Sequence, residues 1–142
     1  MRLRMIVEWS LGSPQRFHWD GQKLVPHDPP WQPGWGLPPV NYGLVPEYHN
    51  PADNAELDAV WAGQVAIPAG TVLTGEVLGM VWLEDGDHKL ILGEPAQPWE
   101  MDLEGLLAWF AGRGPRLASK EEAVGFVQSL PRRPTAPPGL RR

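Results

Sequence analysis

The chain has 142 residues, of which 17 are acidic and 12 basic, and it contains no cysteine. This length suits one domain with one core, and the lack of cysteine excludes disulfide bonds, thiolate metal ligands and cysteine nucleophiles. The net charge of −5 argues against a nucleic-acid partner, because a polyanion would meet mostly repulsion.

The first ninety residues divide into short apolar segments that are typical of strands. A first strand is expected at residues 4–9, and a hairpin is expected at residues 15–25 because Asp20-Gly21 separates two alternating runs. The 17 prolines and 16 glycines between such runs indicate a turn-rich β domain. The strands arrive in the number that a small closed barrel requires.

A proline-rich segment interrupts the strands at residues 26–39, where we predict an extended loop. Its Trp31 and Trp35 are expected to anchor the loop to the domain, although they could also form a binding wall. Further strands are predicted at residues 40–45, 57–61, 71–83 and 89–92, with a polar loop at residues 46–54.

The last third of the chain changes to a helical pattern. Apolar residues recur at helical spacing within residues 102–113, and a capping box at residues 119–122 opens a second helix. Strands followed by two amphipathic helices predict an α+β fold. We expect a single domain over residues 1–130 and a disordered tail, rich in proline and arginine, over residues 131–142.

Neither a membrane span nor a signal peptide is expected. No apolar segment approaches the length of a membrane helix, and residues 1–8 lack a long apolar run. The sequence therefore predicts a soluble, cytoplasmic protein with no membrane partner.

Two acidic segments stand beside predicted strands, at residues 53–58 and 85–89. A strand that borders on carboxylates presents them at its end, where water and a cation can reach them. Several such oxygens suit a hard cation such as Mg²⁺, and the neighbouring Lys89 suits an anion that bridges the metal and the ammonium, such as a phosphate. Both segments are also typical of ordinary solvated turns, since Asp and Gly tolerate turn geometry.

Eight short segments of the chain match, in order and in approximate spacing, the segments of a known protein family. They are residues 6–8, 12–13, 16–17, 41–43, 53–60, 68–72, 79–81 and 85–89. In this order and spacing the chain resembles the family I inorganic pyrophosphatases, over about residues 4–92 and more loosely in the helices. The resemblance implies a five-stranded OB-like β-barrel with an N-terminal hairpin, two C-terminal helices packed on one side, and an acidic mouth filled with Mg²⁺.

The resemblance also implies a set of metal ligands. Asp53, Asp58 and Asp87 resemble the three carboxylates that hold the tightest catalytic metal of the family. Asp85 resembles a ligand of a further metal that arrives with the substrate, and Glu8 resembles an outer carboxylate of the same mouth.

Substrate contacts are implied in the same way. Tyr42 and Lys89 resemble groups that contact phosphate, and Arg16 stands where the family usually has a phosphate-binding lysine. Asp58 and Tyr42 are the residues expected to take part in catalysis. The family further implies pyrophosphate as the substrate and a homo-oligomer as the assembly.

Several positions depart from the family pattern. Ala55 replaces an aspartate that helps to deprotonate the attacking water, and strand alternation is expected to turn the neighbouring Glu56 away from the site. Other departures are His18 for a glutamate, Pro30 for an arginine, Pro38 for a tyrosine, and Phe110-Ala111 for a Tyr-Lys pair.

These observations support three hypotheses about function. The first is Mg²⁺-dependent hydrolysis of pyrophosphate, weakened or directed to a related phosphoanhydride. The second is a catalytically retired relative that serves as a binding or assembly protein, which the altered positions favour and the retained aspartates oppose. The third is an OB-like protein that binds single-stranded nucleic acid on Trp31 and Trp35, which the net charge opposes.

Overall fold

The computed structural model describes residues 1–27, 36–95 and 101–133. These ranges hold eight strands and two helices. In chain order they are β1 Arg2–Trp9, β2 Phe17–Trp19, β3 Leu24–Pro26, β4 Asn41–Asn50, β5 Ala55–Trp61, β6 Val72–Trp82, β7 Lys89–Gly93, α1 Leu103–Trp109, β8 Arg116–Ala118 and α2 Lys120–Gln128.

Five of the strands close into a barrel. Hydrogen-bonded neighbours follow the order β1-β4-β5-β7-β6, and β6 pairs again with β1 to complete the circle. The β5–β7 pairing is parallel and the other four are antiparallel. The predicted five-stranded barrel is therefore confirmed. The structure adds β8, which pairs with β6 and which the sequence pattern did not predict.

Because β6 is 11 residues long, it can pair with three neighbouring strands. Its first half pairs with β1, its last three residues pair with β8, and β7 runs along it as well. The register against β7 shifts between Val77 and Gly79, so Gly79 lies at a bulge. A Cβ on Gly75 would lie 2.6 Å from the Trp61 ring, so Gly75 leaves room for that indole.

β4 is longer than predicted. Pro46 led us to expect a loop over residues 46–54, but the strand continues to Asn50. The register against β5 shifts between Val45 and His49, which places the proline in an irregular stretch where its missing N–H costs no ladder bond. The expectation of a loop over the first half of this range was wrong for that reason.

The predicted hairpin is present as β2 and β3, with Trp19 opposite Leu24. Its loop has four residues rather than two. The Oδ1 atom of Asp20 accepts hydrogen bonds from the N–H groups of Gln22 and Lys23, which is the turn-forming role typical of aspartate.

Both predicted helices are present, α2 with its predicted cap and α1 with a cap that was not predicted. The side chain of Asp102 accepts a hydrogen bond from the Gly105 N–H at the start of α1. The side chain of Ser119 accepts one from the Glu122 N–H at the start of α2. Each cap satisfies one of the free N–H groups of a first helical turn.

Each helix covers its own hydrophobic cluster. Leu106 of α1 is buried with Ile91, and Val127 of α2 is buried in a separate cluster with Leu90. Since Leu90 and Ile91 are neighbours on β7, their side chains point to opposite faces. The two helices therefore contribute to two different clusters, on opposite faces of β7.

Residues 131–133, expected to begin a disordered tail, lie beside β4. The His49 N–H donates to the Pro131 carbonyl at 2.9 Å, and the Arg133 N–H donates to the Glu47 carbonyl at 2.6 Å. The rest of the tail, residues 134–142, lies outside the described residues. Residues 28–35, the part of the predicted loop that carries Trp31 and Trp35, also lie outside them. Within the described part of the chain, neither helix has the length and apolar character needed to cross a membrane.

Candidate metal centre

The two acidic segments meet at one end of the parallel strand pair. Asp53 lies in the turn before β5, Asp58 lies within β5, and Asp87 lies in the turn before β7. Because β5 and β7 run parallel, their starting ends share one edge of the sheet. One carboxylate oxygen of each aspartate lies within 4.8 Å of the others. The fold thus brings together three side chains that are distant along the chain.

Lys89 adds a positive charge to this cluster. It stands directly opposite Asp58 in the register of β5 and β7. Its Nζ donates to Asp58 Oδ2 at 2.5 Å and lies 2.8 Å from Asp87 Oδ2. The Lys89 side chain is only 2% exposed, so its ammonium depends on these two carboxylates in place of water.

Asn50 holds the two acidic turns together, and sequence reasoning missed it. The residue is buried. Its Oδ1 accepts from the Ala52 N–H, and its Nδ2 donates to the Gly86 carbonyl. One side-chain amide therefore fixes both the turn that carries Asp53 and the turn that carries Asp87. The only local signal is an Asn-Pro dipeptide, which indicates a turn and nothing about its partner.

Burial and mutual repulsion raise the pKa values of Asp53 and Asp58. Burial, followed by the charges of Asp87 and Asp58, raises the pKa of Asp53 to about 6. Burial also raises the pKa of Asp58, although the ammonium of Lys89 opposes the shift. A cation placed among such carboxylates would relieve this cost.

The donor set fits a hard divalent cation. The buried Oδ1 of Asp87 has no hydrogen-bond partner among the described residues, which is unusual for a buried carboxylate oxygen. Three carboxylates within reach of one ion supply the oxygen ligands that Mg²⁺ and similar cations prefer. Asp53, Asp58 and Asp87 are the residues that would hold such an ion.

The cluster borders a cavity of about 570 Å³, which Arg16, Tyr42 and Lys89 also line. These are the three residues predicted to contact phosphate. The Tyr42 hydroxyl donates to Asp58 Oδ2 at 3.1 Å. Burial, and then the charge of Asp58, raises the pKa of Tyr42 well above its ordinary value. Tyr42 therefore keeps its proton and acts as a hydrogen-bond donor.

Glu8 lines the same cavity but differs in charge. Burial raises its pKa to about 8, and the charge of Asp58 adds to the shift. Without a bound cation, Glu8 is thus largely protonated at neutral pH. Its role as an outer metal carboxylate stays a prediction.

Asp85 lies apart from the three-aspartate cluster and pairs with Arg113. Nε and Nη2 of Arg113 donate to Asp85 Oδ2 at 3.0 and 2.7 Å, and Nη2 donates also to Asp87 Oδ2 at 3.2 Å. Burial would raise the pKa of Asp85, but the hydrogen bonds from Arg113 and from the Asp87 N–H hold it below its ordinary value. Sequence reasoning missed Arg113, which lies 26 residues from Asp87 along the chain.

Four of the altered positions also border the cavity, whereas Pro38 does not line it. Ala55, His18, Phe110 and Ala111 all line it, so the acid and the phosphate donors expected there are replaced within the site itself. Pro30 lies outside the described residues.

The prediction that Glu56 faces away from the site is wrong. Glu56 lines the cavity and forms an ion pair with Arg133. Alternation along β5 places Glu56 on the side of Asp58, two residues away. Ala55 reaches the cavity from the first position of the strand.

No protein-family model matches the chain, and no curated protein matches it either. Solved structures of inorganic pyrophosphatases do match its fold. The protein from Coxiella burnetii superimposes with a TM-score of 0.77 at 17% identity, over 91% of this chain and 92% of that one. The Helicobacter pylori protein gives 0.74 at 21% identity over 89% of each chain.

A third example shows that this likeness extends to another organism. The inorganic pyrophosphatase of Thermus thermophilus gives a TM-score of 0.72 at 18% identity, over 90% of this chain and 88% of that one. Identities this low carry information on the fold and not on the activity. The architecture expected from the order of sequence segments is thereby confirmed: this chain has the fold of the inorganic pyrophosphatases.

Proposed function

We propose that the protein hydrolyses inorganic pyrophosphate, or a closely related phosphoanhydride, with the help of Mg²⁺. The observation that carries the proposal is the convergence of Asp53, Asp58 and Asp87, one of which keeps a buried oxygen without a partner. The cluster stands in a cavity that is also lined by cationic side chains. The fold shared with pyrophosphatases supports the same proposal.

In this proposal one set of cavity residues binds the cation and another set binds the phosphate groups of the substrate. Asp53, Asp58 and Asp87 would hold Mg²⁺, which when bound lowers the pKa of water and neutralises phosphate oxygens. Arg16 and Lys89 supply charge-assisted hydrogen bonds to the phosphate groups. Holding both partners in one cavity favours reaction because it removes the entropic cost of bringing them together.

Tyr42 and Asp58 have supporting parts in this arrangement. The Tyr42 hydroxyl keeps its proton and donates to Asp58, which fixes the direction of a carboxylate that would bind the cation. It also offers a neutral donor at the wall of the cavity. Such second contacts orient metal ligands and tune their basicity.

Ala55 is expected to make the reaction slow. A positioned general base contributes about two to four orders of magnitude to a rate, and Ala55 cannot act as one. Glu56 faces the cavity, but its carboxylate forms an ion pair with Arg133 and is therefore a poor base. We therefore propose a hydrolase of reduced rate, or one that acts on a different phosphoanhydride.

A second candidate is a protein that binds Mg²⁺ and phosphate without turnover. It is favoured by the apolar side chains of Ala55, Phe110 and Ala111 in the cavity wall. The two candidates share the metal cluster and differ in whether any reaction follows.

Phosphate release from pyrophosphate separates them. We expect release in Mg²⁺ and none in EDTA, and we expect Asp58→Asn to lower the rate by at least about 100-fold because a shared metal ligand is weakened. Asp102→Asn is the matched control, since it makes the same substitution at an exposed helix cap outside the cavity. No release from the wild-type chain, with a melting temperature that still rises in Mg²⁺, would reject hydrolysis and support the binding protein.

A further inference from the structure

We propose that the guanidinium of Arg113 serves as a permanent positive charge of the site, an inference that rests on the proposed function. This guanidinium takes the place of a further divalent ion at Asp85 and offers hydrogen bonds to a phosphate bound in the cavity. The chain would then work with one divalent ion where the site, without Arg113, would take two.

The contacts of Arg113 are those expected of a substitute for a metal ion. The side chain bridges Asp85 and Asp87 through three hydrogen bonds of 2.7 to 3.2 Å. Both hydrogen bonds to Asp85 end on the same oxygen, Oδ2. A divalent ion that used Asp85 would have to displace a charged donor from that oxygen.

The position of Arg113 is set by its backbone. The Glu84 N–H donates to the Arg113 carbonyl, and the Arg113 N–H donates to the Phe110 carbonyl. Gly112 and Gly114, on either side, adopt φ values of 91° and 61°, which glycine reaches without strain. The guanidinium is thus held in place before any ligand binds, so that little entropy is lost on binding.

The charges of the three aspartates and Lys89 together match a single divalent ion. Asp53, Asp58 and Asp87 carry three negative charges when ionised, and Lys89 offsets one of them. The remaining two match one divalent cation. Asp85 is offset by Arg113, so this pair leaves no net charge to attract a second ion.

The guanidinium also has donors to spare. Nε and Nη2 are used by the two aspartates, while the N–H groups on Nη1 have no hydrogen-bond partner within the described ranges. Arg113 lines the cavity together with Asp87 and Lys89. A phosphate bound beside the three aspartates would therefore find a planar donor group at the cavity wall.

Counting bound ions tests the proposal in the full chain without relying on turnover. We expect Mn²⁺ titration, followed by calorimetry and by electron paramagnetic resonance, to give one ion per wild-type chain and two per Arg113→Gln chain. Arg113→Lys keeps the charge and should bind one ion. The double variant Asp85→Asn/Arg113→Gln should also return to one, because the vacated carboxylate is gone.

Affinity for imidodiphosphate, a non-hydrolysable analogue of pyrophosphate, gives the second readout. In the presence of Mn²⁺ we expect Asp85→Asn/Arg113→Gln, which has neither the guanidinium nor the carboxylate for a second ion, to bind the analogue about tenfold or more weakly than Asp85→Asn alone, the effect of losing a charge-assisted donor. Arg116→Gln is the matched control, because Arg116 forms a similar pair with Glu122 away from the cavity and should change neither readout.

Two results would overturn the proposal. One is a wild-type chain that binds two or more ions with a count unchanged in Arg113→Gln. The other is an Asp85→Asn/Arg113→Gln chain that binds imidodiphosphate as tightly as the Asp85→Asn chain. If the wild-type chain fails to release phosphate, the proposed hydrolysis is rejected, while the ion count and the analogue affinity still decide the role of Arg113.

Discussion

Glu8 illustrates how burial decides the charge of a single side chain in this cavity. The same residue type is ionised at neutral pH on a surface, yet its pKa here is raised to about 8, first by burial and then by the charge of Asp58. An acid whose pKa is higher in the folded state binds a proton on folding. Stability then falls as the pH rises from about 4.5, its ordinary value, towards about 8.

The substitution Glu8→Gln is expected to remove this pH dependence. Glutamine has no proton to lose, so the variant should gain stability relative to the wild type as the pH rises. The difference between pH 5 and pH 8 would be up to about 4 kcal/mol, since one pKa unit corresponds to about 1.36 kcal/mol. Urea unfolding in EDTA at both pH values measures it.

The control for that comparison is Glu122→Gln. Glu122 is exposed, and the hydrogen bond from Arg116 lowers its pKa, so Glu122→Gln should change the pH dependence of stability much less than Glu8→Gln. A Glu8→Gln variant whose stability relative to the wild type is equal at the two pH values would show that Glu8 is ionised in the folded protein.

The two acidic segments were accessible to sequence reasoning because each lies beside a recognisable strand, and the family resemblance selected Asp53, Asp58 and Asp87 within them. Their convergence depends on the parallel pairing of β5 and β7, which the sequence pattern did not predict. Asn50 and Arg113 were not accessible, because their functions depend on contacts with distant turns. Only a structure shows which of many polar loop residues meet.

At the scale of elements, α2 is stabilised at its first turn by an N-cap and along its length by packing against the hydrophobic core. The Ser119 side chain accepts from the Glu122 N–H at 3.1 Å, and Val127 is fully buried. A helix of nine residues is too short to be stable alone. Its stability therefore comes from the cap and from packing on the barrel.

The substitution Ser119→Ala is expected to destabilise the protein by about 1 kcal/mol, the usual cost of losing an N-cap. Ser119→Asp keeps an acceptor at the cap and should retain the wild-type stability. Thermal unfolding of the three proteins measures the difference. Equal melting temperatures for Ser119→Ala and the wild type would show that packing alone positions α2.

Elements with a local cause were predicted, and elements with a distant cause were not. Asp20 and Ser119 identify the hairpin and the second helix because each makes its hydrogen bonds within three residues. The three residues of β8 form a strand only because β6 offers them an edge. Pro46 misled the assignment of β4 because a shift in register accommodates it.

At the scale of the whole molecule, residues 131–133, the last residues that the structure describes, connect β4 to the cavity. They pair with β4 through two backbone hydrogen bonds. Arg133 also reaches Glu56, which lines the cavity. The end of the described chain is therefore part of the support of the candidate site.

Truncation tests this support. A chain that stops after Leu130 loses both backbone hydrogen bonds and the two ion pairs of Arg132 and Arg133. We expect it to be less stable by about 2 kcal/mol, given about 1 kcal/mol for each hydrogen bond and less for each exposed ion pair. A chain that stops after Arg133 keeps them and is the control. Equal urea midpoints for the two truncated chains would contradict the inference.

The global architecture was predictable from the order of short segments, although identity to the solved pyrophosphatases is near 20% or below. A barrel tolerates extensive change as long as strands, turns and core positions keep their pattern. The homo-oligomer implied by the resemblance stays a prediction, because assembly depends on surface residues that such a pattern does not constrain.

The facing positions of Asp58 and Lys89 on two parallel strands have a consequence for how the protein reaches its native state. A slip of one residue between these strands would turn one of the two side chains away and leave an isolated charge inside the protein. Correct alignment of the two strands and formation of the cluster of charged side chains therefore occur together. A divalent ion that binds only the correctly aligned barrel would stabilise that alignment over the alternatives.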